Sequence, residues 1–178
     1  MDSNKKKNTA DLLLLIGYVA FIYLTLPVTP AFTNYLSAAL GSNFALLAGA
    51  LVILPVPAAS AIFYRNIRDK GISFYLGLAA AISVYAVLLI YYTPIVVEKL
   101  HLLEYGILAC LAMRYARGMR PQNKRHLFVA AAVVIVGYCD ELIQKFIPNR
   151  VYDPRDVALN ILGGFLAFVI MRMLDYDG

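Results

Sequence analysis

Charge is scarce in this sequence: Asp, Glu, Lys and Arg make up 15% of its 178 residues, against 61% hydrophobic residues. A soluble domain carries roughly 25% charged and about 45–50% apolar residues, so the shortage excludes an ordinary water-soluble fold. The mean hydropathy of +0.70 agrees, and lipid is the solvent such a surplus needs. Cysteine is nearly missing too. The two present, Cys110 and Cys139, each lie inside an apolar run, where a free thiol behaves as a small hydrophobe; this argues against a disulfide. No low-complexity linker and no internal repeat divides the chain, so residues 1–178 read as one membrane domain. No small-residue cleavage pattern follows Leu26 to Pro30, and the first apolar run therefore reads as a retained helix rather than a signal peptide.

What is present in quantity is long apolar runs. They extend from Leu12 to Leu26, Phe44 to Tyr64, Ile72 to Tyr92, Leu100 to Tyr115, Leu127 to Ile147 and Val157 to Met173, and a helix needs about 20 such residues to cross a hydrocarbon core. Backbone groups cannot go unsatisfied in lipid, and the runs are too long and too evenly apolar for barrel strands. The expected fold is all-α: a polytopic transmembrane helical bundle with six spans. Pro55 and Pro57, in the second run, favour a kink there or a re-entrant hairpin.

Net charge is +5, but its distribution speaks for topology rather than nucleic acid, which is not an expected partner. With the amino end in the cytoplasm, Lys5, Lys6, Lys7, Arg65, Arg68, Lys70, Arg114, Arg117, Arg120, Lys124, Arg125 and Arg172 lie inside, and only Lys99, Lys145, Arg150 and Arg155 outside. That split obeys the positive-inside rule and predicts N-in/C-in. The inner basic blocks suit contact with anionic membrane lipids. Thr93-Pro94 and Asp153-Pro154 read as N-cap plus first helical residue of the fourth and sixth spans. Asp156, three residues after Asp153, is placed to complete a capping-box-like arrangement.

Polar residues stand where they are costly. His101 and Glu104, i and i+3 on one face with Tyr105 beside them, lie about 10 and 15 Å beyond Pro94 at 1.5 Å per residue. Asp140 and Glu141 lie about 10–12 Å before Pro148, with Gln144 one turn on. Both groups come out at a similar depth on the non-cytoplasmic side. Acids a few turns into the membrane cost several kcal/mol unless they face a wet cavity or pair, so these should converge inward. The segment from Pro148 to Asp156 brings Arg150 and Arg155 to the same place. Asn160 lies one turn below Asp156, and Gly163-Gly164 then allow a close helix approach.

Lys99-Leu-His101, then Glu104-Tyr105-Gly106, then Asp140-Glu141-x-x-Gln144, then Ile147-Pro148-x-Arg150-x-x-Asp153-x-x-Asp156-x-x-x-Asn160-x-x-Gly163 resembles the signature of the VanZ-like family, named for a membrane protein associated with resistance to the glycopeptide teicoplanin. The resemblance covers about residues 99–167. Asn149 stands where the family often has Gly, and Ala167 where a second Gly often follows the Asn; both changes are small. The resemblance implies a cell-envelope protein of the bacterial plasma membrane.

Three functional classes suit these residues. In the first, an outer-leaflet cavity recognises an anionic lipid-linked or cell-wall ligand: Lys99, Arg150 and Arg155 contact phosphate or carboxylate, and Tyr105, Gln144, Asp156 and Asn160 complete the binding set. In the second, an intramembrane enzyme modifies a lipid or its headgroup with His101, Glu104, Asp140 and Glu141 as acid and base. No Ser, Thr or Cys nucleophile is well placed, since Cys139 points about 100° away from Asp140, which disfavours covalent catalysis. In the third, the chain is a transporter or accessory subunit. No cofactor is expected. With one histidine among the acids, Mg²⁺ or Ca²⁺ is a better weak candidate than zinc.

Overall fold

In a computed structural model, which describes residues 2–53, 70–88, 90, 96–148 and 150–173, the described residues form helices and no strand. We label the helices α1 (Asp2–Thr25), α2 (Thr29–Leu40), α3 (Ser42–Ile53), α4 (Ile72–Val87), α5 (Val96–Ala116), α6 (Gln122–Gln144) and α7 (Pro154–Met173).

The core is the triangle of α5, α6 and α7, with α5 against α7 the most extensive contact. Its centre is α5. Leu102, Tyr105, Leu108, Ala109, Ala112, Met113 and Ala116 are all buried, a three-and-four spacing that turns one stripe of the helix inward. Small residues set the separation. A Cβ added to Gly164 of α7 would stand 2.5 Å from Val133 Cγ1 of α6 and 3.2 Å from the Tyr105 carbonyl oxygen of α5, so only a bare backbone fits where the three helices meet.

Helix α1 leans on α5 and α6, and its polar contacts are specific. The Tyr18 hydroxyl donates to the Glu104 carbonyl at 3.1 Å. The Tyr23 hydroxyl donates to the Val136 carbonyl at 3.3 Å. Near the other end of α5, Arg114 Nε donates to Asp11 Oδ1 at 2.7 Å. Around this core α3 packs on α5, α4 on α7 and α2 on α3.

The distribution of polarity is the reverse of a soluble protein's. Leu24, Leu127 and Ile135 are 74%, 70% and 60% exposed, whereas Asp140 and Glu141 are fully buried. A surface of this kind is at rest only in hydrocarbon, which marks a membrane protein.

The expected count of six spans is corrected. Among the described residues three helical stretches are long and apolar enough to cross: Lys7–Thr25, Gln122–Gln144 and Pro154–Met173. The fourth predicted span is present as α5, but its 21 residues include Glu98, Lys99, Glu104 and Arg114, too much charge to qualify by apolarity alone. The third is represented by α4, with 16 residues, and the end of that predicted span, Tyr91 and Tyr92, lies outside the described residues. Of the second span, α3 covers the beginning; Pro55 and Pro57, like Thr93-Pro94, lie outside the described residues. A helix also occupies 29–40, a stretch the apolar runs leave as a connection.

Candidate functional site

Helices α5 and α7 begin, and α6 ends, at the same end of the triangle, so residues distant in sequence meet there. Asp140 of α6 is at the centre. Its Oδ2 accepts the Tyr105 hydroxyl of α5 at 2.9 Å and the Asn160 amide of α7 at 3.4 Å, and its Oδ1 accepts the Gln144 amide at 3.3 Å. One carboxylate thereby links all three helices. Gln144 also donates to Glu141 Oε1 at 2.9 Å, so a single amide holds both acids at a helical i, i+3/i+4 spacing.

The connection from α6 to α7 is locked by two carboxylates. Asp153 Oδ1 accepts the Arg155 backbone N–H at 2.8 Å, the expected N-cap of α7, which begins at Pro154. The capping box with Asp156 does not form. The Asp153 N–H donates instead to Glu141 Oε2 at 3.4 Å, so the partner at the start of α7 comes from the end of α6.

His101 lies on the other side of Asp140. Its Nδ1 is 3.4 Å from Glu104 Oε2 and 4.0 Å from Asp140 Oδ2. His101 is buried, and Glu104 is partly open. Asp156, one turn above Asn160, is within electrostatic range of His101, Arg150 and Glu141. Arg155 is at the rim, half exposed, with its Nε 3.8 Å from Asp153 Oδ2 and from Asp156 Oδ1. Lys99, half-buried on α5, joins none of these bonds among the described residues.

Four polar atoms of this cluster are buried and have no hydrogen-bond partner: His101 Nδ1, Arg150 Nε, Asp156 Oδ1 and Asn160 Oδ1. Leaving such a group unsatisfied costs about 1–3 kcal/mol; His101 Nδ1 and Asp156 Oδ1 have an oppositely charged neighbour at 3.4 and 3.8 Å, whereas among the described residues no ion pair compensates Arg150 Nε or Asn160 Oδ1. Among the described residues no set of three His, Cys, Asp or Glu converges in a way that would hold a metal ion.

The structure thus brings together His101, Glu104, Tyr105, Asp140, Glu141, Gln144, Asp156 and Asn160, with Arg150 and Arg155 beside them and Lys99 outside the network. Sequence reasoning missed Tyr18 and Tyr23, which fasten α1 behind the cluster. Two tyrosines in a strongly apolar run were the available signal, because a buried Tyr hydroxyl needs a partner.

The family model VanZ/LLP1 matches residues 12–175. The chain belongs to the VanZ-like family. The VanZ-like frame is therefore wider than the polar signature within 99–167 and takes in α1, which supplies the hydroxyl on Glu104. No curated protein and no solved structure matches the chain. The VanZ-like departure at Ala167 is accommodated locally: Gly106 faces it, and even a methyl there would stand 3.6 Å from the Ala167 Cβ, an ordinary contact. Asn149 lies outside the described residues.

Proposed function

We propose that this VanZ-like protein is a multi-pass protein of the bacterial plasma membrane whose polar cluster, facing the non-cytoplasmic side, recognises an anionic lipid-linked or cell-wall ligand, and that it affects glycopeptide susceptibility through that ligand. One observation carries the reading: Arg150 Nε is buried beside the cluster with no acceptor, and a guanidinium in that condition calls for phosphate or carboxylate. The concentration of basic residues at the opposite helix ends supports the sidedness. The bonding of Asp140 favours binding over catalysis, because its carboxylate already holds Tyr105, Gln144 and Asn160 and so serves to position helices.

The test has two arms. A cysteine introduced at Arg150 should react with a membrane-impermeant maleimide in intact cells; reaction only after lysis would reverse the sidedness. Arg150→Ala should shift teicoplanin susceptibility to that of cells without the protein while envelope lipids, read by mass spectrometry, stay chemically unchanged. A lipid whose mass changes with the protein's presence would favour the enzyme reading instead.

A further inference from the structure

The unsatisfied atoms differ in kind, and the difference specifies the ligand. Arg150 Nε lacks an acceptor, whereas Asp156 Oδ1 and Asn160 Oδ1 lack donors. Asn160 is fully buried, so its free oxygen has no water-exposed alternative, and its amide is already committed to Asp140. The two acceptors stand one helical turn apart on one face of α7, with Cβ atoms about 5–6 Å from each other. We infer that the ligand is a hydroxyl-bearing phosphate, a glycerol- or sugar-phosphate headgroup, whose phosphate meets Arg150 and whose hydroxyls donate to Asp156 and Asn160. The inference rests on the anionic-ligand reading of the same cluster.

The alternatives fit less well. A bare phosphodiester would satisfy Arg150 but set its oxygens against two acceptors, one of them a carboxylate. A quaternary ammonium has no donor to offer. A primary ammonium would reach Asp156 but stand next to Arg155, whose Nε is already 3.8 Å from that oxygen, and would bring like charges together. A neutral hydroxyl donates without that repulsion, and two hydroxyls on neighbouring or alternate carbons suit two acceptors a turn apart.

Phosphatidylglycerol and phosphatidylmethanol make a matched pair of probes, because both are singly charged phosphodiesters and only the first carries hydroxyls. Native mass spectrometry of the full-length detergent-solubilised protein should find dioleoyl phosphatidylglycerol bound about tenfold more tightly than dioleoyl phosphatidylmethanol, as one hydrogen bond to a charged acceptor provides. Asp156→Ala should remove most of that preference, and because it also removes a carboxylate facing the phosphate it should tighten phosphatidylmethanol binding rather than weaken it. Arg150→Ala should weaken both lipids about tenfold.

Equal binding of the two lipids by the unaltered protein, with both still weakened by Arg150→Ala, would overturn the hydroxyl proposal and leave the anionic-ligand reading standing. Tighter binding of dioleoyl phosphatidylethanolamine than of phosphatidylglycerol would overturn it as well. Indifference of every lipid to Arg150→Ala would bring down the underlying reading too. An excess of glycerol 1-phosphate separates the sources: displacement of phosphatidylglycerol supports a soluble glycerol phosphate as the ligand, and retention supports the lipid headgroup.

Discussion

Gly164→Ala is a small change with a large expected effect. The added methyl would stand 2.5 Å from Val133 Cγ1, 2.9 Å from Val133 Cγ2 and 3.2 Å from the Tyr105 carbonyl, whereas carbon atoms rest at about 3.5–4.0 Å. Relief requires α7 to withdraw from α6 by about 1 Å, and such overpacking costs about 1–3 kcal/mol. Asn160 is one turn away, and its bond to Asp140 is 3.4 Å long, so withdrawal breaks it. Val133→Ala alone loses two buried methyl groups, about 1–2 kcal/mol. In the double variant the new methyl enters the space the valine vacates, and the combined loss should fall short of the sum by about 1–2 kcal/mol, where independent sites add to within about 0.5 kcal/mol. Unfolding of the solubilised protein and its three variants measures the cycle. Strict additivity, or a Gly164→Ala protein as stable as the unaltered one, would refute the close approach of α6 and α7.

Two further pairs of substitutions test the polar contacts. Asp140→Ala leaves the Asn160 amide without its acceptor and the Tyr105 hydroxyl with only the Val136 carbonyl at 3.4 Å, and should cost about 2–5 kcal/mol in the same unfolding measurement. Asp140→Asn should cost about half as much, because its amide oxygen still accepts the Tyr105 hydroxyl and its amide nitrogen can donate to the Asn160 oxygen once that side chain turns; equal losses would show that the network does not hold the helices. Arg114→Ala strands the buried Asp11 carboxylate and should destabilise by about 1–3 kcal/mol. Asp11→Ala leaves Arg114, whose side chain is 45% exposed, to water, and its loss should be the smaller of the two. The reverse order would contradict the burial of Asp11.

The cluster was legible in the sequence because polar residues inside apolar runs carry their own constraint. Once Glu104, Asp140 and Glu141 are placed on helices, spacing puts them on particular faces and cost turns those faces inward. Asp153-Pro154 was equally legible, since an N-cap is a local matter. What escaped depends on neighbours that periodicity does not reveal. Asp156 has the right spacing for a capping box, but Glu141, twelve residues before Asp153, reaches the N–H first. The hydroxyls of Tyr18 and Tyr23 find carbonyls on helices far along the chain. The six-span count relied on apolar length, a measure to which α5 responds poorly because it carries Glu104 for the site and Arg114 for the tie to Asp11 as well as Glu98 and Lys99. The helix over 29–40 left only Pro30 near its start as a local sign.

The polar ties of α1 reach residues 86, 113 and 103 positions away in the chain. A chain made from its amino end at about 5–20 residues per second therefore releases Asp11, Tyr18 and Tyr23 well before their counterparts exist. For those seconds α1 lacks the polar ties that fix its rotation about its axis. Its final orientation is decided by α5 and α6, which are made later, and a nascent protein halted before residue 104 holds it in a membrane segment that has yet to learn which way to face.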